Sequence, residues 1–191
     1  MRPYKLIKTL FVAARNKLER LPYNEYTIAE YFRKQGVQIG EHCRIYIENF
    51  GTEPYLIKIG NDCTITAEVK FITHEGSMGL FRKDMPDLNI FGKIEIRDNC
   101  FIGVGSTILY GVTIGPNSVV GASSVVTVDV PPNVVAVGVP ARIISNIDKY
   151  REKGIAKWKE LGISGDRSTW RKQLIEHFWP KNAVPIKAFG E

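Results

Sequence analysis

Residues 94–128 read IEIRDNCFIGVGSTILYGVTIGPNSVVGASSVVTV, and an aliphatic residue returns at every sixth position of this stretch. A helix would place apolar residues three and four positions apart, and a half-buried strand would place them two apart. A period of six, with glycine and asparagine between the aliphatic residues, predicts short strands separated by turns. We therefore expect an all-β solenoid, in which stacked coils bury the repeated residues in continuous ladders.

The same period occurs before residue 94. Its members along the chain are Ile39, Ile45, Ile59, Ile65, Phe71, Ile96, Ile102, Ile108, Ile114, Val120 and Val126. The rhythm stops after residues 70–76, KFITHEG, and resumes only at residue 94. Residues 76–93 are therefore predicted to be a loop that leaves the coils just after His74. Loops on a rigid scaffold often carry function.

The three cysteines occupy one position of the repeat, four places after an aliphatic residue, where serine or valine stands in other coils. They are Cys43, Cys63 and Cys100. This position predicts a small inward-facing filler rather than a catalytic thiol or a metal ligand. An odd number of cysteines without paired spacing also argues against a disulfide framework and favours a reducing compartment.

Residues 1–35 have the spacing of amphipathic helices, with Leu6, Leu10 and Leu18 near one stripe and basic residues on the other face. We expect this segment to cap the first coil, because the terminal coil of a solenoid needs a cap. The alternative is a basic helix that lies on an anionic membrane surface.

The hexapeptide period is lost over residues 146–191, and we expect a second helical segment there. All three tryptophans, Trp158, Trp170 and Trp179, lie in it. We expect them to pack on a neighbouring surface, in the same chain or in another subunit. Stacking on a cofactor is the alternative.

The composition is that of a soluble globular protein of 191 residues, long enough for one domain with a core. The net charge of +6 favours an anionic partner, without choosing among phosphorylated cofactors, nucleic acid and a membrane surface. No apolar run approaches the ~20 residues that span a bilayer. The N-terminal run LFVAA is shorter than the core of a secretory signal. We expect a cytoplasmic protein.

The stretches GVTIG, VGASSVV, DVPP and GVPAR resemble the C-terminal coils of hexapeptide-repeat acyltransferases, especially the sugar O-acetyltransferases and the xenobiotic acetyltransferases. The resemblance covers residues 36–145 and is strongest over residues 94–143. It implies a left-handed parallel β-helix over residues 36–145, a homotrimer with active sites between subunits, and acetyl-CoA as the acetyl donor. The left-handed sense rests on the resemblance alone, because ordinary crossover rules would predict a right-handed one.

In that family a histidine before an interrupting loop acts as general base toward the acceptor hydroxyl, and His74 stands in this place. A hydroxyl is a poor nucleophile that needs a positioned base, and imidazole is largely neutral at cytosolic pH. Glu75 is a catalytic candidate for orienting the ring. Adjacent residues of an extended segment point in opposite directions, however, which argues against this role. We assign no role to His42 or His177.

The resemblance also implies contacts with acetyl-CoA. They are the backbones of Val104 and Ala122, the coil-edge residues Thr127 and Val128, and Arg142. The Arg142 guanidinium suits a CoA phosphate. The sequence departs from related sugar acetyltransferases where Val128 replaces a common lysine and where Ser145 stands in place of a second arginine.

The segment IENFGTEPY falls where the family keeps polar residues that bind the acceptor. Asn49 and Glu53 are the candidates, and each is equally consistent with a residue of the loop surface.

Other functions on the same scaffold are alternatives to a sugar O-acetyltransferase. A zinc enzyme on the same solenoid needs about three converging imidazoles, and the coils contain only His42 and His74. A non-catalytic assembly module would not need the interrupting loop with its histidine. Serine acetyltransferase carries a much larger N-terminal helical domain. An antibiotic O-acetyltransferase or a sugar N-acetyltransferase would use the same chemistry and remains open.

We therefore expect an acetyl-CoA-dependent O-acetyltransferase that acts on a sugar hydroxyl, in a precursor of a surface polysaccharide. We expect no metal, no nucleic acid and no membrane contact.

Overall fold

The computed structural model describes residues 14–15 and 18–180. Within these residues the chain forms three complete α-helices and thirteen short strands, and residues 14–15 and 18–20 are also helical. The helices are α1 (Ile28–Lys34), α2 (Ile147–Leu161) and α3 (Arg167–Phe178). The strands are β1 (Gln38–Ile39), β2 (Arg44–Ile45), β3 (Ile57–Ile59), β4 (Thr64–Ile65), β5 (Lys70–Ile72), β6 (Ile94–Ile96), β7 (Phe101–Ile102), β8 (Thr107–Leu109), β9 (Thr113–Ile114), β10 (Val119–Val120), β11 (Val125–Val126), β12 (Val134–Val137) and β13 (Arg142–Asn146).

The strands belong to three sheets, which the chain visits in turn. The first sheet has the order β1-β3-β6-β9, the second β2-β4-β7-β10-β12-β13, and the third β5-β8-β11. The pairing is parallel throughout, except that β13 turns back antiparallel to β12. Each new pass of the chain therefore lays its strands beside those of the pass before it.

The register of the pairing places each repeated residue beside its counterpart in the next coil. The ladders are Ile39–Ile59–Ile96–Ile114 in the first sheet, Ile45–Ile65–Ile102–Val120–Ala136 in the second, and Phe71–Ile108–Val126 in the third. All twelve side chains are at most 8% exposed. Burying an aliphatic side chain of this size contributes about 1.5–3 kcal/mol. The predicted ladders are confirmed, and they form the core.

The corners between the first and second sheets bend through left-handed backbone conformations. His42, Asp62, Asn99, Asn117 and Asn133 have φ between 55° and 60°. Asparagine and aspartate tolerate this region better than most residues, because their short polar side chains bond locally. The side chains also bond between coils: the Asn99 amide donates to Asn117 Oδ1 (2.8 Å), and the Asn117 amide donates to Asn133 Oδ1 (3.0 Å).

A ladder of small polar side chains lies inside the same corner. Cys43, Cys63, Cys100 and Ser118 are at most 2% exposed, and each donates a hydrogen bond to a carbonyl one coil further on, at 2.9 to 3.1 Å. The neighbouring Cys100 sulfur, together with burial, raises the pKa of Cys63 to about 12. This thiol is therefore protonated at neutral pH. The predicted filler role of the cysteines is confirmed, because they are buried and Ser118 takes the equivalent position in the next coil with an equivalent hydrogen bond.

Helix α1 lies against the first coil. Phe32 is fully buried, and its ring meets Phe50 edge to face at 4.8 Å, while Phe50 stacks on Phe71 at 5.1 Å. The Arg33 guanidinium donates to the carbonyls of Ile39 (2.9 Å) and Gly40 (2.6 Å), at the end of β1. Residues 1–13, 16 and 17, which belong to the expected N-terminal cap, lie outside the described residues.

The described residues from 148 onward belong to a second compact unit. In this second unit the Asp166 side chain caps α3 by accepting from the backbone N–H groups of Ser168 (2.9 Å) and Thr169 (3.3 Å). The rings of Trp158 and Trp170 meet at 5.2 Å. In the part of the chain that the structure describes, no helix has the length and apolarity required to cross a membrane.

Replacing Asn117 with alanine should lower the free energy of unfolding by about 1–2 kcal/mol, because alanine is strained at a positive φ. Asn117→Gly is the matched control, since glycine adopts this conformation without strain. Urea denaturation of both variants measures the difference. Equal losses in the two variants would contradict a role for backbone conformation at this corner.

Candidate active site at the interrupted coil

The interrupting loop begins and ends at one short antiparallel pair. His74 and Phe91 are bridged; the Glu75 N–H donates to the Ile90 carbonyl (2.9 Å), and the Gly92 N–H donates to the Thr73 carbonyl (2.9 Å). A side chain at Gly92 would lie 2.8 Å from the Gly111 backbone nitrogen, so only glycine fits there. The loop thus leaves and rejoins the coil at a fixed point, and His74 lies at this point.

The His74 ring is held by Glu53 from another segment of the chain. His74 Nδ1 lies 2.9 Å from Glu53 Oε2, and Phe91 meets the ring edge-on at 6.1 Å. The His74 side chain is 42% exposed and that of Glu53 is 14% exposed. Because a carboxylate only accepts hydrogen bonds, this contact makes Nδ1 the protonated nitrogen. Nε2 is then the nitrogen with a free lone pair.

Two hydroxyls complete the surroundings of Glu53. Thr73 donates to Glu53 Oε2 at 2.5 Å, and Thr52 donates to the same oxygen at 2.7 Å. The bond from Thr73, with those from His74 and Thr52, holds the pKa of the Glu53 carboxyl below its ordinary value, although burial acts in the opposite direction. Glu53 is therefore ionised at neutral pH, as the contact with His74 requires.

Glu75, expected to orient the ring, has other partners. Its carboxylate accepts from the Ser77 N–H (3.0 Å) at the start of a 3₁₀ helix, Gly76–Phe81, and lies 3.5 Å from the Tyr110 hydroxyl. The N–H of Ser77 lowers the pKa of Glu75. The sequence made Glu53 a candidate for binding the acceptor, and in the structure its carboxylate contacts His74. Glu75 instead fixes the start of the loop.

The residues expected to contact acetyl-CoA lie on the exposed edges of the later coils. Val104 and Ala122 occupy the same corner of successive coils, where the Ser123 N–H donates to the Val104 carbonyl (2.8 Å). Val128, 61% exposed, and Arg142 line one cleft of about 400 Å³. Thr127 is exposed beside it.

The Arg142 guanidinium donates to the Ala141 carbonyl (2.9 Å) from an exposed position. The fixed fork of its remaining N–H groups can bind an anion. The edge therefore presents a guanidinium beside this cleft.

Asn49, the other acceptor candidate, is exposed, and its side chain accepts from the Gly51 N–H (3.1 Å). It lines two neighbouring clefts of about 790 and 550 Å³, neither of which includes His74. Among the described residues, no three histidine, cysteine, aspartate or glutamate side chains are grouped so that they could hold a metal ion.

Sequence reasoning missed the hydroxyls of Thr52 and Thr73. Thr73 is 1% exposed, and the alternation of a strand already places it opposite His74. That alternation was the available signal for Thr73. The partner of Thr73, Glu53, lies twenty residues earlier in the sequence, and the alternation does not indicate it.

Comparisons with known proteins agree with this picture. A model of the bacterial transferase hexapeptide (six repeats) family matches residues 93–127. Protein CapG of Staphylococcus aureus is 54% identical over 124 residues, which cover 63% of this chain and 72% of that protein. The galactoside O-acetyltransferase of Escherichia coli K12 is 58% identical over 55 residues, which cover 29% of this chain and 27% of that enzyme. The chain thus spans about a quarter of the length of that enzyme.

Among solved structures, a hexapeptide-repeat containing acetyltransferase from Vibrio cholerae has a TM-score of 0.54 and 29% identity, over 71% of this chain and 88% of that chain. The structure of that acetyltransferase complexed with acetyl coenzyme A has a TM-score of 0.51 and 33% identity, over 59% of this chain and 61% of that chain.

Lowering the pH should remove the stability that Glu53 contributes. A carboxyl whose folded-state pKa lies below its ordinary value of 4.5 stabilises the protein above that value. The contribution is lost as the pH falls through the folded-state pKa. Glu53→Gln should therefore be less stable than wild type at neutral pH, and the gap should close in acid. Urea denaturation at several pH values measures the gap. A gap that stays constant down to about pH 3 would contradict the ionised pairing.

Proposed function

The chain belongs to the bacterial hexapeptide-repeat transferases, and from that premise we propose that it transfers an acetyl group from acetyl-CoA to a hydroxyl of a sugar. The Glu53–His74 contact at the start of the interrupting loop carries the proposal, because it presents a positioned base on the surface of the coils. Galactoside O-acetyltransferase among the relatives supports a sugar acceptor, and the acetyl-CoA complex of a structural neighbour supports the donor.

In the proposed reaction His74 moves one proton. Nδ1–H donates to the ionised Glu53, so Nε2 accepts the proton of the acceptor hydroxyl as the oxygen attacks. Acetyl-CoA, when bound, supplies a thioester as the electrophile. The imidazolium then returns the proton to the departing sulfur, which restores the neutral ring. Glu53 stabilises the transient positive charge and keeps the ring in one tautomer. Glu53 is thus proposed as the orienting residue, in place of Glu75.

The donor is proposed to lie along the corner formed by Val104 and Ala122, with its phosphates toward Arg142 and the coil edge at Thr127 and Val128. The exposure of these residues and the cleft shared by Val128 and Arg142 support this path.

The coils are proposed to wind in the left-handed sense of the family. His74 lies on an open surface, with its side chain 42% exposed. A second subunit that closes over this surface, in a homotrimer, would exclude water from the reacting groups. We propose the cytoplasm as the location, and a precursor of a surface polysaccharide as the acceptor.

Replacing His74 with asparagine should lower kcat by about 10²–10⁴-fold, the usual contribution of general base catalysis, and should leave the affinity for acetyl-CoA unchanged. A thiol-release assay over free sugars, amino sugars, nucleotide-sugars and lipid-linked sugars first identifies an acceptor. Calorimetry then measures acetyl-CoA binding.

The matched control is His42→Asn. His42 has a side chain that is 82% exposed and a positive φ that asparagine also adopts, so this change should leave kcat unchanged. If His74→Asn kept more than about a tenth of the wild-type kcat, well short of the loss expected for a missing base, His74 would not be the base.

Replacing Arg142 with alanine should raise the KM for acetyl-CoA about tenfold or more, because a charge-assisted bond to phosphate is lost. The KM for the acceptor should not change. Arg97→Ala, which removes another exposed guanidinium, serves as the control and should leave both constants unchanged. Steady-state kinetics with each substrate varied in turn measures these constants. An unaltered KM for acetyl-CoA in Arg142→Ala would mean that the phosphates are bound elsewhere.

A further inference from the structure

Two clefts lie side by side at the N-terminal end of the coils. One, of about 790 Å³, separates residues 20–28 from the first coil, and the other, of about 550 Å³, separates the first coil from the second. Residues 46–49 line both clefts and form their common wall. The two clefts therefore adjoin each other along this segment, and we call the pair the N-terminal groove.

The walls of this groove are fixed by hydrogen bonds. The Ile45 N–H donates to the Glu25 carbonyl (2.9 Å), and the Arg20 guanidinium donates to the Glu48 carbonyl (3.1 Å), so the N-terminal segment is tied to the first coil. The Tyr46 N–H donates to the Ile65 carbonyl (2.9 Å), which ties the first coil to the second. The groove is thus a preformed feature of the fold.

The groove leads toward the base. On β5 and its continuation, Lys70 and Ile72 are exposed and His74 is half-exposed, while Phe71 and Thr73 are buried between them. Alternate residues of a strand share a face at ~3.3 Å per residue, so Lys70 and His74 lie on one face roughly 13 Å apart.

The opposite side of the groove reaches the base as well. Gly51 lines the second cleft, and Glu53, which bonds to His74, follows two residues later. A ligand extending along the groove from Lys70 past Ile72 would therefore arrive at His74.

The chemistry of the lining suits carbohydrate. The Tyr46 ring, with the residue 44% exposed, stands on the wall common to both clefts. An aromatic face can stack on the C–H face of a sugar ring. Glu48, Glu68 and Lys70 supply carboxylates and an ammonium group for hydroxyls. Each cleft has the volume that holds a drug-sized ligand, ~300–1,000 Å³, so the pair exceeds the need of one monosaccharide.

We propose that the N-terminal groove binds the saccharide units that precede the acetylated one, so that the acceptor is an oligosaccharide or polysaccharide chain rather than a single sugar. This inference rests on the proposed sugar acetyl transfer. In this proposal a sugar ring of the acceptor chain stacks on the Tyr46 ring. Lys70, which lies between the distant units and His74, binds hydroxyls of the chain.

Binding measured without turnover tests the groove. Calorimetric titration uses three series of probes, which are maltose-, galactose- and N-acetylglucosamine-based oligosaccharides of one to six units. Each series is titrated into wild type and into the variants Tyr46→Ala, Lys70→Ala and Tyr26→Ala. The Kd should fall with chain length in at least one series. Tyr46→Ala should raise the Kd of the longest member roughly two- to tenfold, the loss of one stacking contact.

One control and one further variant decide the outcome. Tyr26 is 61% exposed and lies within residues 20–28, beside the groove, but it does not line the groove, so Tyr26→Ala should not alter the Kd. Lys70→Ala is an exposed change that leaves the core intact and should weaken binding as Tyr46→Ala does. A Kd that is independent of chain length in every series, or equal effects of the two tyrosine changes, would overturn the proposal.

Hydroxyl-radical footprinting identifies the occupant. Tyr46 should be reactive in the free protein and protected by the hexasaccharide. Protection already in the free protein would mean that a second copy covers the groove, and the proposal would fail. Length-dependent binding without any acetyl transfer would refute only the proposed function. Acetyl transfer with length-independent binding would refute only the groove.

Discussion

Parallel register between coils is the constraint on which the rest of the structure depends. Each strand pairs with the strand one coil earlier, so that Ile102 lies beside Ile65 on one side and Val120 on the other. Shifting a coil by one residue would turn its aliphatic side chains outward and its polar ones inward. The corners maintain the register, because residues at positive φ, which are asparagines in the three later corners, bend the chain at the same place in each coil. Their amides also bond between neighbouring coils.

The loop of residues 76–93 interrupts a coil at the candidate site without changing the register of the strands on either side. Strand β5 pairs with β8 beyond the loop, and β6 pairs with β3 before it, so the ladders continue on both sides of residues 76–93. The antiparallel bridge between His74 and Phe91 closes the excursion. The histidine is therefore attached to the hydrogen-bonded ladders of the coils.

The sequence alone was sufficient to predict the features that follow the six-residue period. The period located the ladder residues, explained Cys43, Cys63 and Cys100 as fillers, and marked His74 as the place where the repeat breaks. It could not supply the partner of His74. Glu53 lies in a non-repeating segment between β2 and β3, and its distance to the ring depends on how that segment folds across the coil. The exposed cofactor candidates, such as Arg142, are a different case. Their roles concern molecules outside the chain, so neither a period nor a fold fixes them.

The two ends of the stack show how its length is set. At the C-terminal end β13 folds back antiparallel on β12, and at the N-terminal end Arg33 occupies carbonyls beside β1. An uncovered parallel edge would be a template for strands of other chains. Because both ends of the stack are covered, the number of coils between them can vary. Duplication or deletion of one complete coil would preserve every ladder and both ends. The fold can therefore evolve in steps of whole coils, which would lengthen or shorten a binding edge without redesigning the core.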